Sequence, residues 1–487
     1  MSPERSIYLL SPKELSPETI AVAFAKTSRS PESFREIAAE LSDSSSAKFH
    51  EKWVVGYGHS SVAEHAVLHL AIENVSRLAV ESIESNRLAS YTEKSTRYQK
   101  WGTDDFFIPP ELNGHPLRER YVRTCRLLFD TYTQSIEPVK RLVEQQASHR
   151  PNEDDESYDR RIRSQYVDSC RFLLPAASLA NLGMTANARV LENAIRKMLS
   201  HPLAEVRQIG EEIKRAAVGE VPTLVKYAEV VDYLVETSEA FNQLEIVHHN
   251  TCPGEQCQGG HQVHEGEKDW CSLVDHDVDG EIKVLAATLY RFSEIPYNEA
   301  LEMVRLATEK EKERLVGLLL GQLKHHDSPL RELEHTSYTF DITMDQGAYA
   351  EFKRHRMMSQ TPQALTTRLG YAIPRRITEA GFEAQYRTAM DTARETYETL
   401  AEFNLQVASY VVPNGFNRRV LATFNLREAY HFCQLRAATN AHFSIRRVAQ
   451  RVAEEIRRVH PLLAGAMRLP EDETWRSIEE QAFTCCG

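Results

Sequence analysis

Leu173-Leu174-Pro175 is followed, twelve residues on from its proline, by Asn187-Ala188-Arg189, and Val411-Val412-Pro413 is followed at the same interval by Asn425-Leu426-Arg427. Each Asn-x-Arg opens a stretch with the apolar spacing of an amphipathic helix. The parallel extends upstream. Glu64-His65 precedes the alternating run Val67-Leu68-His69-Leu70-Ala71-Ile72, and Glu334-His335 precedes Ser337-Tyr338-Thr339-Phe340-Asp341-Ile342. Alternation of this length predicts a half-buried strand. Arg87-x-x-Ser90 and Arg356-x-x-Ser359 come next, each after a helical stretch and each leading into a polar loop. The beginnings also match: Ile7-Tyr8-Leu9-Leu10 answers Cys271-Ser272-Leu273-Val274, the latter ahead of an Ala-rich helix.

Matches in one order along the chain mean a duplication, and a duplication decides the fold before any single element does. The expected class is α+β: two tandem copies, each a sheet flanked by long helices. The first copy is placed at residues 1–245 and the second at 272–487. A Cys- and His-containing linker at 246–271 joins them, where Gly and Pro are frequent and no period persists. A second polar stretch, Ser148 to Asp159, reads as an exposed loop within the first copy.

The bulk numbers agree. A chain of 487 residues has room for two cores. A hydrophobic share of 42% with 26% charged residues, and a mean hydropathy of −0.45, describe a water-soluble globular protein. No apolar run nears the roughly 18 residues of a membrane span, and the first ten residues do not form a signal peptide, so a cytoplasmic location is expected. Eight cysteines are too sparse for a disulfide framework. A net charge of −12 opposes non-specific binding to nucleic acid. Against that background the clusters Arg354-His355-Arg356, Arg375-Arg376, Arg418-Arg419 and Arg446-Arg447 fit a small anionic ligand better.

An Arg-His-Arg at a helix end, beside a loop carrying Ser and Arg, sets charge-assisted donors next to backbone N–H groups, which suits a phosphate or pyrophosphate. In isolation the same triplet reads as basic decoration offsetting a helix dipole. Its place in the duplicated framework favours the binding site.

Arg354-His355-Arg356-Met357-Met358-Ser359 resembles the Arg-His-Arg-x-x-Ser signature of the flavin-dependent thymidylate synthases. Ser90-Tyr91-Thr92-Glu93-Lys94-Ser95-Thr96-Arg97-Tyr98 is similar to the loop that follows that signature. Gly58-His59-Ser60-Ser61-Val62-Ala63-Glu64-His65 is similar to the family's Gly-His element. Asn425-Leu426-Arg427 through Leu435-Arg436 resembles its Asn-x-Arg and nucleotide-gripping helix. The resemblance covers nearly the whole chain, once per half.

It implies an FAD-dependent enzyme that methylates dUMP reductively to dTMP, with methylenetetrahydrofolate and NADPH as partners and no cysteine nucleophile. It further implies Arg436 as the catalytic group polarising the pyrimidine. Glu93, Ser95, Thr96, Arg97 and Arg171 join Arg436 in holding the nucleotide. The flavin falls to Ser61, Glu64, Arg87, Asn187, Arg189, Arg354, His355, Arg356, Asn425 and Arg427. A homodimer resembling a four-domain tetramer is the implied assembly. Two other readings remain open: a related flavin-dependent modification of a pyrimidine nucleotide, and a non-catalytic paralogue that binds flavin or nucleotide.

Neither half keeps the whole signature. The first has Ser85-Asn86-Arg87 where Arg-His-Arg is expected, and Met198 where the second has Arg436. The second has Gln360-Thr361-Pro362-Gln363-Ala364-Leu365 in place of the nucleotide loop, with Arg368 as a distant substitute, and Ser409 in place of Arg171. Complementary losses predict one composite site joining Glu93, Ser95, Thr96 and Arg97 to Arg436, with its counterpart inert or repurposed.

In the linker, His248, His249, Cys252, Cys257, His261, His264 and Cys271 supply enough ligands for tetrahedral zinc. Their spacing matches no common finger pattern, so no metal is assigned.

Overall fold

The structure is a computed structural model, and it describes residues 8, 10–27, 30, 32–56, 60–97, 101–243, 269–324 and 326–484. Along the first half run β1 (Val67–Ser76), α1 (Arg77–Glu84), β2 (Ser90–Glu93), the long helices α2 (Leu117–Gln146) and α3 (Asp155–Cys170), β3 (Leu179–Asn187), α4 (Ala188–Leu199) and α5 (Ala204–Val218). Along the second run β4 (Cys271–His276), α6 (Gly280–Arg291), β5 (Ser337–Asp345), α7 (Gln346–Phe352), β6 (Ser359–Pro362), α8 (Glu383–Phe403), β7 (Asn417–Asn425), α9 (Leu426–Arg436) and α10 (Phe443–Val459). The class is α+β, as expected, and the element order repeats.

The sheets are antiparallel, ordered β1-β3-β2 and β4-β5-β7-β6. Their registers coincide once the two Asn-x-Arg asparagines are superposed. Val67 pairs with Asn187 and Ser337 with Asn425; Ser90 pairs with Thr185 and Ser359 with Thr423. The central strands β3 and β7 even show the same residue-by-residue alternation of burial. In the larger sheet that alternation sends Tyr338, Phe340, Ile342, Val420, Ala422 and Phe424 into the core. It leaves Thr339 against Thr423, and Arg419 in a two-pronged pair with Asp341, on the other face.

Three expectations change. The segments after Arg87 and Arg356 are not loops: Ser90 and Ser359 open short strands that take the free edge of β3 and β7. The Ser148–Asp159 loop ends early, because Asp154 caps α3 by accepting from the Ser157 N–H, so residues 155–159 are helix. Trp270 and Cys271 are not linker. The Trp270 carbonyl accepts from Thr343 N–H and its ring packs edge-on against Trp475, while Cys271 starts β4 fully buried. The remaining linker residues 246–268, with the other Cys and His of the zinc hypothesis, lie outside the described residues, as do Ile7 and Leu9. Tyr8 and Leu10 carry no strand.

Contacts divide the chain into two compact units. One comprises Met1–Ser95, Phe106–Arg118 and Ala177–Gln256; the other comprises Thr96–Asp105, Glu119–Ala176 and Cys257–Gly487. Almost all of α2, and the whole of α3, thus pack with second-half elements.

Within this second unit the two Leu-Pro landmarks meet. Pro175 and Pro413 form an antiparallel bridge; Ala176 N–H donates to the Val412 carbonyl at 2.9 Å and Asn414 N–H to the Leu174 carbonyl at 3.0 Å. At the start of α6, a methyl group on Gly280 would overlap the Thr336 hydroxyl and the His460 ring, so only glycine fits there. Among the described residues no helix is long and apolar enough to cross a membrane.

Candidate functional site

The second unit gathers its ionisable side chains on α9 and the turn after α7. Asn425 caps α9 through its side-chain oxygen, which accepts from Glu428 N–H at 2.9 Å. From that start Glu428, Phe432 and Arg436, four residues apart, share one helix face. The imidazole of His355 lies along this face. Its Nδ1 is 3.0 Å from Glu428 Oε1, its ring stands edge-on to Phe432 at 4.9 Å, and its Nε2 accepts from Arg436 Nε at 3.0 Å.

A guanidinium only donates, so Nε2 carries no hydrogen and Nδ1–H donates to Glu428. Burial, with Arg436 and His431 adding to it, pushes the imidazole down to about 2, which makes this contact a hydrogen bond rather than an ion pair. Burial raises Glu428 to about 7.

Beyond Arg436 the chain of contacts continues. Arg436 Nη1 donates to Glu351 Oε2 at 3.0 Å, and Glu351 Oε1 takes Arg171 Nη2 at 3.4 Å. Arg171 donates to Thr96 Oγ1 at 3.2 Å and lies 3.4 Å from Asp168, which Arg97 grips with Nε and Nη2 at 2.9 and 2.7 Å. The five charged side chains are each less than one-quarter exposed. Burial opposes ionisation of Glu351 and Asp168, yet the neighbouring guanidiniums and His442 outweigh it and hold both carboxyls below their usual range.

Thr96, Arg97, Arg171, His355 and Arg436, named from sequence, therefore belong to one connected network. Arg354 lies exposed and Arg356 half-buried at the turn beside it.

Asn425, Arg427 and Glu428 line an open cavity of about 680 Å³ with Glu334, Met357 and His431. A cleft of this size accepts a cofactor-sized ligand. Arg427 donates to the Pro329 carbonyl at 2.9 Å and pairs with Glu334 at 3.2 Å. The first unit repeats that pair as Arg189 with Glu64, both half-exposed, and repeats the cap, since Asn187 accepts from Val190 N–H. Both asparagines thus serve as helix caps.

Elsewhere in the first unit, Glu93 is a buried partner of Arg77 at 2.9 Å, and Ser61, Arg87 and Ser95 are exposed. Met198 is 1% exposed in that unit's core, out of reach of any ligand. In the second, Ser409 donates to the Leu365 carbonyl, and Arg368 is held by Glu398 at the surface.

The other basic clusters are structural. Arg375 caps the Phe483 carbonyl, Arg376 holds Gln165, Arg418 donates to Gln363 over the Tyr349 ring, and Arg446 and Arg447 pair with Glu473 and Glu479. The cysteines among the described residues are buried thiols, Cys170 pushed up to about 12 by burial.

Sequence reasoning missed Asp168, Glu351, Glu428 and His431. Only the spacing of Asp168 to Arg171 and of Glu428 to Arg436 on their helices hinted at them.

A twice-repeated α+β unit with a buried arginine–carboxylate network beside an open cleft defines a class of duplicated α+β proteins. The family model described as thymidylate synthase complementing protein matches residues 10–223 and again 272–462, and the chain belongs to that family. It is 32% identical over 441 residues to a UPF0159 protein of Chlamydia muridarum, covering 87% of this chain and 80% of that one. A UPF0159 protein of Chlamydia pneumoniae is 31% identical, with 85% and 79% covered. A flavin-dependent thymidylate synthase of Clostridium tetani is 26% identical over 214 residues, which cover 44% of this chain and 82% of that protein. The last ratio is what a single-copy relative of a two-copy chain gives.

Proposed function

We propose that this protein is an FAD-dependent thymidylate synthase-like enzyme that converts dUMP to dTMP with methylenetetrahydrofolate and NADPH. The observation that carries the reading is the network Thr96, Arg97, Asp168, Arg171, Glu351, Arg436 and His355, which joins the residues each half retained. Family membership and the flavin-dependent relative support the same reaction class. So does the neighbouring cleft: Arg427 offers guanidinium donors, and Met357 and Leu435 offer apolar wall, a donor set that fits a flavin nucleotide.

Arg354, His355, Arg356, Asn425 and Arg427 would hold FAD in the second half, and Ser61, Glu64, Arg87, Asn187 and Arg189 are the first half's own flavin-binding candidates. Bound flavin supplies the hydride and one-carbon chemistry. The chain's own part is binding and polarisation. Arg436, its Nε fixed by His355, presents its remaining donors to the nucleotide, favouring charge that develops on the pyrimidine. Arg97, Arg171 and Thr96 hold the rest of the nucleotide.

In this reading residues 1–245 and the second half through 487 are the two descended copies, the segment that ends ahead of Trp270 joins them, and two chains assemble as a homodimer with four such domains. Incubation with dUMP, methylenetetrahydrofolate and NADPH, followed by mass analysis of the nucleotide, is expected to yield dTMP. The purified protein is expected to be yellow, with a band that bleaches under NADPH and dUMP. A colourless protein that leaves dUMP unchanged rules the reading out.

A further inference from the structure

Glu351 stands between two cations that the sequence brings from opposite halves. Its Oε1 is 3.4 Å from Arg171 Nη2 and its Oε2 3.0 Å from Arg436 Nη1. All three side chains are less than one-fifth exposed. A single carboxylate spanning two guanidiniums does what a phosphoryl group does between the same donors.

The other carboxylate of the network is placed differently. Asp168 is gripped by Arg97 through two short bonds of 2.9 and 2.7 Å, a fork that fixes it. Glu351 makes one contact to each arginine, one of them long, and hangs from a short helix by a three-torsion side chain. It is the carboxylate that leaves more readily.

We propose that Glu351 is an internal competitor of the ligand's phosphate, filling the place between Arg171 and Arg436 until a pyrimidine nucleotide displaces it, and so holding down the preference for phosphorylated over uncharged pyrimidines. The inference rests on the nucleotide reading of this site. It fixes a sign: removing the negative charge at 351 strengthens binding of anions. A residue that merely positioned Arg436 for its ligand would act in the opposite direction.

The test is calorimetric titration of wild-type protein and Glu351→Gln with dUMP, deoxyuridine and inorganic phosphate at fixed ionic strength. The variant is expected to bind dUMP and phosphate at least tenfold more tightly, with deoxyuridine within twofold of wild type. Unchanged or weaker dUMP binding overturns the inference alone. Absence of dUMP and phosphate binding in every form overturns it together with the nucleotide reading. Should circular dichroism show Glu351→Gln unfolded, Glu351→Asp keeps the charge on a stem too short to span both arginines. It is then expected to tighten dUMP at least threefold, and no gain overturns the proposal.

Discussion

Pro175 and Pro413 face each other across an antiparallel bridge, and the two hydrogen bonds that flank them are reciprocal: Ala176 to Val412, and Asn414 to Leu174. The shift along the chain that carries Ala176 onto Asn414 also carries Asn187 onto Asn425. The two matching segments therefore pair about a local two-fold within one compact unit.

Replacing Ala176 by proline removes the donor to Val412 and strands a buried carbonyl. A loss of about 1–3 kcal/mol is expected from the unmade bond, read as a lower denaturation midpoint. Asn414→Pro should cost at least as much, since it also loses the bond from Asn414 Nδ2 to the Arg171 carbonyl, and the absence of an effect at either position would argue against the two-fold pairing.

Arg97 and Arg436 stand at opposite ends of the charged network. Alanine at either is expected to abolish dUMP binding in a calorimetric titration. If only one substitution does so, the composite site is wrong. Asp168→Asn should instead act on folding, costing about 3–5 kcal/mol, because it removes the buried charge that Arg97 grips with two bonds and that Arg171 adjoins.

Glu428 gives a pH dependence of definite sign. Its carboxyl is raised to about 7 in the fold, so the neutral form is favoured there. The resulting stability is fully present below the ordinary carboxylate value and is lost as pH rises through about 7. Wild type should therefore lose up to about 3 kcal/mol relative to Glu428→Gln between about pH 5 and pH 8. Denaturant titrations of both proteins at the two pH values check this, and parallel curves would refute it.

Asn425 carries a cap and, in the proposed reading, a flavin contact. Asn425→Ala should cost about 1 kcal/mol of stability through the lost cap. Asn425→Asp keeps the cap oxygen, so its stability should be near wild type while its flavin content falls. Full flavin retention in the aspartate variant would leave the residue with a capping role alone.

Much of this was legible in the sequence, because it rests on local periodicity and on spacing. Alternation at Val67 and Ser337 gives β1 and β5, and the Asn-x-Arg tripeptides give the starts of α4 and α9, while the interval before them marks the repeat without giving β3 or β7. The strands β2 and β6 were not legible. Each is four residues long with exposed and half-buried positions, so neither carries an apolar pattern, and both exist because β3 and β7 offer an unpaired edge. The basic clusters misled for a related reason: an arginine pair reads the same whether it waits for an anion or is already held, as Arg446 is by Glu473 and Arg447 by Glu479.

The sequence by itself determined the duplication, the α+β class and the complementary losses of the two halves, since each depends on residue order within short windows. Tertiary structure alone decided which retained residues touch. Arg97 to Asp168, Arg171 to Glu351 and Arg436 to His355 are separated by 71, 180 and 81 positions. No periodicity links residues so far apart. Their contact follows only when folding brings α3, α7 and α9 together, and burial there turns three arginines and two carboxylates into one connected network.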